Sequence, residues 1–209
     1  MKSTLYYVLD PMCCWCWGFR PVFTELLKLL PKQVEVKYIM GGLAADSDQP
    51  MPPETQAYIQ EQWRLVTEKT GAEFNWDYWT ICQPRRSTYP ACRAVIAAGL
   101  QGNENIPKMI LAIQTAYYLQ AQNPSDLETH VLLAKELGLD ITQFKQDLTT
   151  PEVEDLLQKD FKNRRRLAVS SFPTVLLEST DGLHFIAQGD DSLENIKKRM
   201  QACSLLNEL

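Results

Sequence analysis

The chain has 209 residues, enough for one large domain or two small ones with a sizeable core. Its 45% hydrophobic and 22% charged content is that of an ordinary globular protein, and a net charge of −5 gives no reason to expect nucleic-acid binding. No run approaches the ~18 apolar residues of a membrane span. Met1-Lys2-Ser3-Thr4 leads into a strand too short for a signal-peptide apolar region. A cytoplasmic protein with no membrane partner is expected, in which six cysteines act as thiols or as a catalytic pair rather than as a disulfide framework.

Leu5-Tyr6-Tyr7-Val8-Leu9 is aromatic and β-branched and predicts a short buried strand. Beyond it, Phe19, Val22, Phe23, Leu26, Leu27 and Leu30 recur at helical spacing. Cys13 and Cys16 therefore fall at a strand-to-helix junction, in the first turn of the helix, spaced Cys-x-x-Cys. Unpaired N–H groups and the positive end of the helix dipole favour a thiolate there. Such a position can lower a cysteine pKa from ~8.5 into the range of roughly 3.5–7.5. The pair can close a disulfide, or reopen when a thiolate attacks it. Cys13, nearer the helix start and less covered, is the expected nucleophile, and Cys16 the resolving thiol. Cys14 extends the motif to Cys-Cys-x-Cys, and with Trp15 and Asp10 it is a candidate modulator of the pair. Three thiolates could ligate zinc, but a structural zinc site takes four Cys or His ligands. Neither His130 nor His184 has a ligand-like spacing, so no metal is expected. A redox or metal-responsive binding protein stands as a reading from another class.

Residues 34–40 alternate and predict a second strand, parallel to the first across a βαβ unit. Gly41-Gly42 ends it, either as a simple turn or to let backbone approach a neighbour such as the cysteine loop. After a polar, proline-rich loop at 44–53 the pattern is helical. Helices are predicted over 54–70, closed by Gly71, over 88–98, closed by Gly99, over 106–120, and over 125–137, closed by Gly138. Asp140 caps a short helix to 148, and Thr150-Pro151 opens one to about 166. The aromatic segment Phe74-Asn75-Trp76-Asp77-Tyr78-Trp79 is core or the wall of a groove facing the cysteines. Arg85-Arg86 and Arg164-Arg165-Arg166 read as solvated basic faces. Residues 175–178 and 183–187 form a hairpin joined by the turn Ser179-Thr180-Asp181-Gly182, which carries an Asp-Gly signal, and a last helix runs from 193 to about 203.

This order of strand, CxxC helix, strand, gap, Phe172-Pro173-Thr174, hairpin and helix resembles the thioredoxin fold. Phe172-Pro173-Thr174 stands in the place of its cis-proline loop, and Pro21 in that of the proline that kinks its active-site helix. The helical stretch resembles the DsbA-like branch. Asp10-Pro11-Met12-Cys13, Trp15-Cys16-Trp17-Gly18-Phe19 and the later Pro84-Arg85-Arg86-Ser87-Thr88-Tyr89-Pro90 resemble the predicted protein-disulfide isomerase group, near the FrnE-like proteins. The resemblance covers essentially the whole chain. It implies an α/β thioredoxin-like domain of residues 1–45 and 167–209, interrupted at 46–166 by an all-helical insertion between the second strand and the cis-proline strand. It further implies thiol–disulfide oxidoreductase or isomerase chemistry through Cys13 and Cys16, with Phe172, Pro173 and Thr174 holding substrate backbone. Partners are then protein or small-molecule thiols and disulfides. No metal or bound organic cofactor is implied, and glutathione is a candidate co-substrate, its carboxylate within the range of Arg164-Arg165-Arg166. Kappa-class glutathione transferases and 2-hydroxychromene-2-carboxylate isomerases share the insertion but carry serine at the Cys13 position. They leave a glutathione-dependent transferase or isomerase as the alternative. Some relatives have an extra cysteine pair, which Cys82 and Cys92 could supply, although two free thiols are the favoured reading. Thioredoxin and DsbA-type proteins also carry a buried acid near the end of the first strand. Tyr7 stands at that position here, and Asp10 lies further along.

Overall fold

The computed structural model describes residues 3–203. Thr4–Leu9 (β1) is buried along its whole length, as a continuous apolar run must be when both faces of a sheet are covered. It pairs in parallel with Glu35–Met40 (β2), Leu9 opposite Met40. Parallel neighbours need a crossover, and Cys14–Leu29 (α1) supplies it, with Pro21 inside the helix. On its other side β1 runs antiparallel to Thr174–Ser179 (β3), Tyr7 opposite Val175. β3 pairs in turn with Gly182–Gln188 (β4), giving the order β2-β1-β3-β4. Ser179 already pairs with Gly182. The hairpin loop is therefore Thr180-Asp181, within the expected turn Ser179-Thr180-Asp181-Gly182.

Between β2 and β3 come helices joined by loops, with one isolated bridge, Pro50 with Arg85. The helices are Pro53–Thr70 (α2), Tyr78–Ile81 (α3), Tyr89–Leu100 (α4), Asn105–Tyr118 (α5), Leu127–Glu136 (α6), Ile141–Asp147 (α7) and Pro151–Arg166 (α8). Leu193–Ala202 (α9) follows the hairpin. The caps are those the sequence signals: Asp140 accepts from Gln143 N at 2.9 Å, and Thr150 from Val153 N at 3.4 Å. Gly99 does not close α4, which runs on to Leu100. A Cβ there would lie 2.8 Å from Ile106 Cγ1, so this glycine serves close packing of α4 against α5.

The helical core centres on Trp63, which is fully buried. Phe74 stacks on it at 4.7 Å, with Trp79 at 5.0 Å and Tyr118 at 5.6 Å. Of the aromatic segment, Tyr78 is core, Phe74 and Trp79 are half-buried against Trp63, and Trp76 remains 40% exposed. Such ring pairs add about 0.5–1.5 kcal/mol each beyond their burial. The same cluster holds the helix that carries the cysteines. Trp17 stacks on Tyr118 at 5.6 Å and donates its indole N–H to Glu73 O at 3.0 Å.

Candidate active site

Cys13 is the N-cap of α1, with extended backbone, and Cys14 is the first helical residue. The turn is fixed by Cys13 N donating to Asp10 O at 3.0 Å and Trp17 N to Cys13 O at 3.1 Å. The described cysteines are all free thiols. Cys13 keeps 6% exposure and Cys16 none, so Cys13 is the reachable member of the pair. Cys14 is also buried, at 8%.

The loop before β3 closes over this turn. The Phe172–Pro173 peptide bond is cis, and the Cys13 thiol donates to the Phe172 carbonyl oxygen at 3.5 Å. Thr174 turns inward and donates its hydroxyl to Ser171 O at 2.8 Å, so it fastens the loop. Trp15 is half-buried, its indole N–H on Gln62 Oε1 at 3.0 Å.

The three neighbouring sulfurs are electrostatically unequal. A hydrogen bond from the Cys16 thiol holds Cys13 below its ordinary value, outweighing the burial that opposes it. Burial pushes Cys16 well up, and sharing its proton with Cys13 pushes it further. Burial, followed by the neighbouring Cys13 charge, raises Cys14 as well. The motif therefore has one sulfur suited to exist as a thiolate, which is the nucleophilic form.

Asp10, further along the chain than the family's acid, lies against the cysteine turn. Asp10 is fully buried. Its Oδ1 accepts from Met12 N at 2.8 Å, and its Oδ2 from Leu43 N and from the Thr88 hydroxyl, both at 2.7 Å. The Cys92 thiol points at the same oxygen from 3.8 Å. Burial raises the Asp10 pKa against these hydrogen bonds, and its charge in turn opposes ionisation of Cys13 and Cys16. Tyr7, at the position compared with the family's acid, is packed on Phe23 at 3.9 Å.

Gly41-Gly42 brings backbone against the cysteine loop through Leu43, and against two rings. A Cβ on Gly41 would lie 2.4 Å from the Phe172 ring, and one on Gly42, whose φ is +64, 2.3 Å from Phe161. Arg164 turns inward as well. It donates to Gly41 O and lies 5.8 Å from the centre of the Phe172 ring. A solvated face is thus wrong for Arg164, though Arg165 and Arg166 are exposed. It is wrong for Arg85 too, which donates to Ser125 O at 2.7 Å and pairs with Asp126.

Cys82 and Cys92 do not pair: the former donates to Ala121 O at 3.0 Å and the latter faces Asp10. Cys203 donates to Arg199 O at 3.1 Å. His130 is buried on Pro124 O, and burial lowers its pKa to about 4. Among the described residues no cluster of three or more His, Cys, Asp or Glu could hold a metal, and no helix is long and apolar enough to cross a membrane.

A family model described as Thioredoxin matches residues 6–198. A protein from Nitrosomonas europaea, assigned as a protein disulfide isomerase, is 29% identical, with a TM-score of 0.84 over 97% of each chain. The cytosolic disulfide reductase DsbM of Pseudomonas aeruginosa, solved also with GSH, is 23% identical with a TM-score of 0.80, 99% of this chain and 100% of that one being covered. The ClpXP adapter protein SpxH of Halalkalibacterium halodurans is 26% identical over 174 residues, which are 81% of this chain but 56% of the relative. The chain thus spans little more than half the length of that curated relative.

Proposed function

The chain belongs to the thioredoxin family, and from that premise we propose that it is a thiol–disulfide oxidoreductase working through Cys13 and Cys16. The observation that carries the reading is the inequality of the sulfurs. The one reachable cysteine of the pair is also the one held below its ordinary pKa, and it faces the Phe172 carbonyl. In the proposed cycle the Cys13 thiolate attacks a disulfide R–S–S–R′, forming a Cys13–S–S–R bond and expelling R′S⁻. Cys16 then loses its proton and attacks the Cys13 sulfur. The Cys13–Cys16 disulfide closes and RS⁻ leaves, so two electrons have passed to the substrate. Two equivalents of a low-molecular-weight thiol such as glutathione return the pair to the dithiol through a mixed disulfide and leave as their own disulfide. Phe172, Pro173 and Thr174 form the wall along which substrate backbone lies. Isomerase activity, the cytoplasmic setting and a division into a thioredoxin-like part (1–45 and 167–209) and a helical part (46–166) belong to the same proposal.

The test is a set of three variants assayed for reduction of insulin disulfides. Cys13→Ser is expected to be inactive and Cys14→Ser to keep most activity. Cys16→Ser is expected to accumulate the mixed disulfide, visible by mass spectrometry. Loss of activity in Cys14→Ser, or its survival in Cys13→Ser, overturns the assignment.

The likeness to SpxH favours a second reading, in which the chain is a protein-binding adapter. Binding of a client protein with undiminished affinity by the Cys13→Ser, Cys16→Ser double variant, alongside no reductase activity in the wild type, would select that reading.

A further inference from the structure

A crevice of about 170 Å³ is lined by α1 from Arg20 to Leu27, by Tyr7 and Tyr38 of the sheet and by α5. Its walls include Phe23, Leu27, Ile110 and Leu111. Arg20 is the only charged side chain lining it among the described residues. The guanidinium lies over the Trp17 ring at 4.7 Å, and its Nε is buried without a hydrogen-bond partner. Gln114 also lines the crevice, is 1% exposed, and has no side-chain partner among the described residues. Tyr7 and Tyr38 also line the crevice, and burial keeps both side chains in the neutral form.

Buried polar groups without partners are uncommon in native proteins and each calls for an explanation. Here an arginine with a buried, unpartnered Nε and a buried amide side chain without a partner among the described residues line one small space whose other walls are mostly apolar. A lone cation, neutral donors and no carboxylate select an anion. The apolar walls select a compact hydrophobic body behind it. The size fits a single ring, since an engineered apolar cavity of about 150 Å³ takes up benzene.

We propose that this crevice binds a benzoate-sized monocarboxylate, with Arg20 and Gln114 holding the carboxylate and Phe23, Leu27, Ile110 and Leu111 enclosing the ring. The site is separate from the cysteine chemistry, although Tyr7 borders it on one side and feels the charges of Cys16 and Cys13 on the other.

The experiment is a titration of the full chain with benzoate, followed by NMR at the Trp17 indole N–H and the Gln114 side-chain amide. Saturable shifts are expected in the wild type. Arg20→Gln should weaken binding at least tenfold. Leu111→Trp, at a position 43% exposed and so tolerant of a larger ring, should fill the crevice and abolish it. Benzyl alcohol, which has the ring without the charge, should bind at least tenfold more weakly than benzoate. No saturable shift with benzoate in the wild type, or equal affinity for benzyl alcohol, overturns the proposal. So does unchanged binding in both variants, with their folds checked by thermal melting.

Discussion

The Thr88 hydroxyl donates to the Asp10 carboxylate at 2.7 Å across 78 residues of chain. That bond fastens the start of α4 to the turn from which Cys13 emerges. Asp10 also takes the amides of Met12 and Leu43, so one buried side chain joins the cysteine loop, the end of β2 and the helical segment. Replacing it with alanine leaves the Met12 and Leu43 amides without an acceptor, while the Thr88 hydroxyl keeps the Ala44 carbonyl at 3.3 Å. Each such loss is worth about 1–3 kcal/mol, partly offset by removing a buried charge. Asp10→Ala is therefore expected to lose roughly 2–4 kcal/mol in urea unfolding, and Thr88→Val about 1 kcal/mol. Equal stability of Asp10→Ala and wild type would mean that the carboxylate does not organise the loop.

The low pKa of Cys13 stems first from the Cys16 thiol that donates to it. In Cys16→Ala that donor is gone, so the inflection in the pH profile of Cys13 alkylation should move upward. Cys16→Ser keeps a donor and should move it less. Cys14→Ser should leave it where it was, because burial already keeps Cys14 protonated. Alkylation by iodoacetamide, with the modified residue identified by peptide mapping, distinguishes these cases. An unmoved inflection in Cys16→Ala would point to the helix N-terminus alone as the cause.

Gly41 fixes the distance between β2 and the loop over the cysteines, since a Cβ there would lie 2.4 Å from the Phe172 ring. Gly41→Ala must displace that ring, and with it the carbonyl that faces Cys13. A loss of about 1–3 kcal/mol is expected from overpacking, together with slower alkylation of Cys13. Adding Phe172→Leu should restore part of the stability, which a double-mutant cycle measures as coupling between the two positions. Additive losses would place the strain elsewhere.

What the sequence made legible follows from how local each signal is. The strand-helix junction at Cys13, the caps at Asp140 and Thr150, and the closing hairpin are all written within a few residues, and they stand nearly where expected. Gly99 looked like a helix end because the contact that requires it, with Ile106, comes from the next helix. α3 has four residues, too few to carry a period. The part played by Asp10 was hidden for the same reason. A carboxylate three residues before a cysteine says nothing of the Leu43 amide or the Thr88 hydroxyl that the fold delivers to it. Arg164 read as one of three solvated charges, and only the packing of α8 on β2 turns it toward Gly41.

Asp160 gives the fold a pH dependence of unusual sign. Its Oδ2 accepts from Met40 N at 2.9 Å, but burial dominates and raises the carboxyl from 3.8 to about 6. The folded chain therefore holds this proton more tightly than the unfolded one. Its contribution to stability is fully present below pH ~4 and is lost as the pH rises through about 6. The shift of about two units corresponds to at most ~3 kcal/mol. Asp160→Asn keeps an acceptor for Met40 N and removes the titration. Urea unfolding of both proteins at pH 4, 6 and 7.5 should find wild type losing up to about 3 kcal/mol relative to the variant across that range. A difference that stays flat, or that grows in favour of wild type with rising pH, would mean that water reaches Asp160 and relieves its burial.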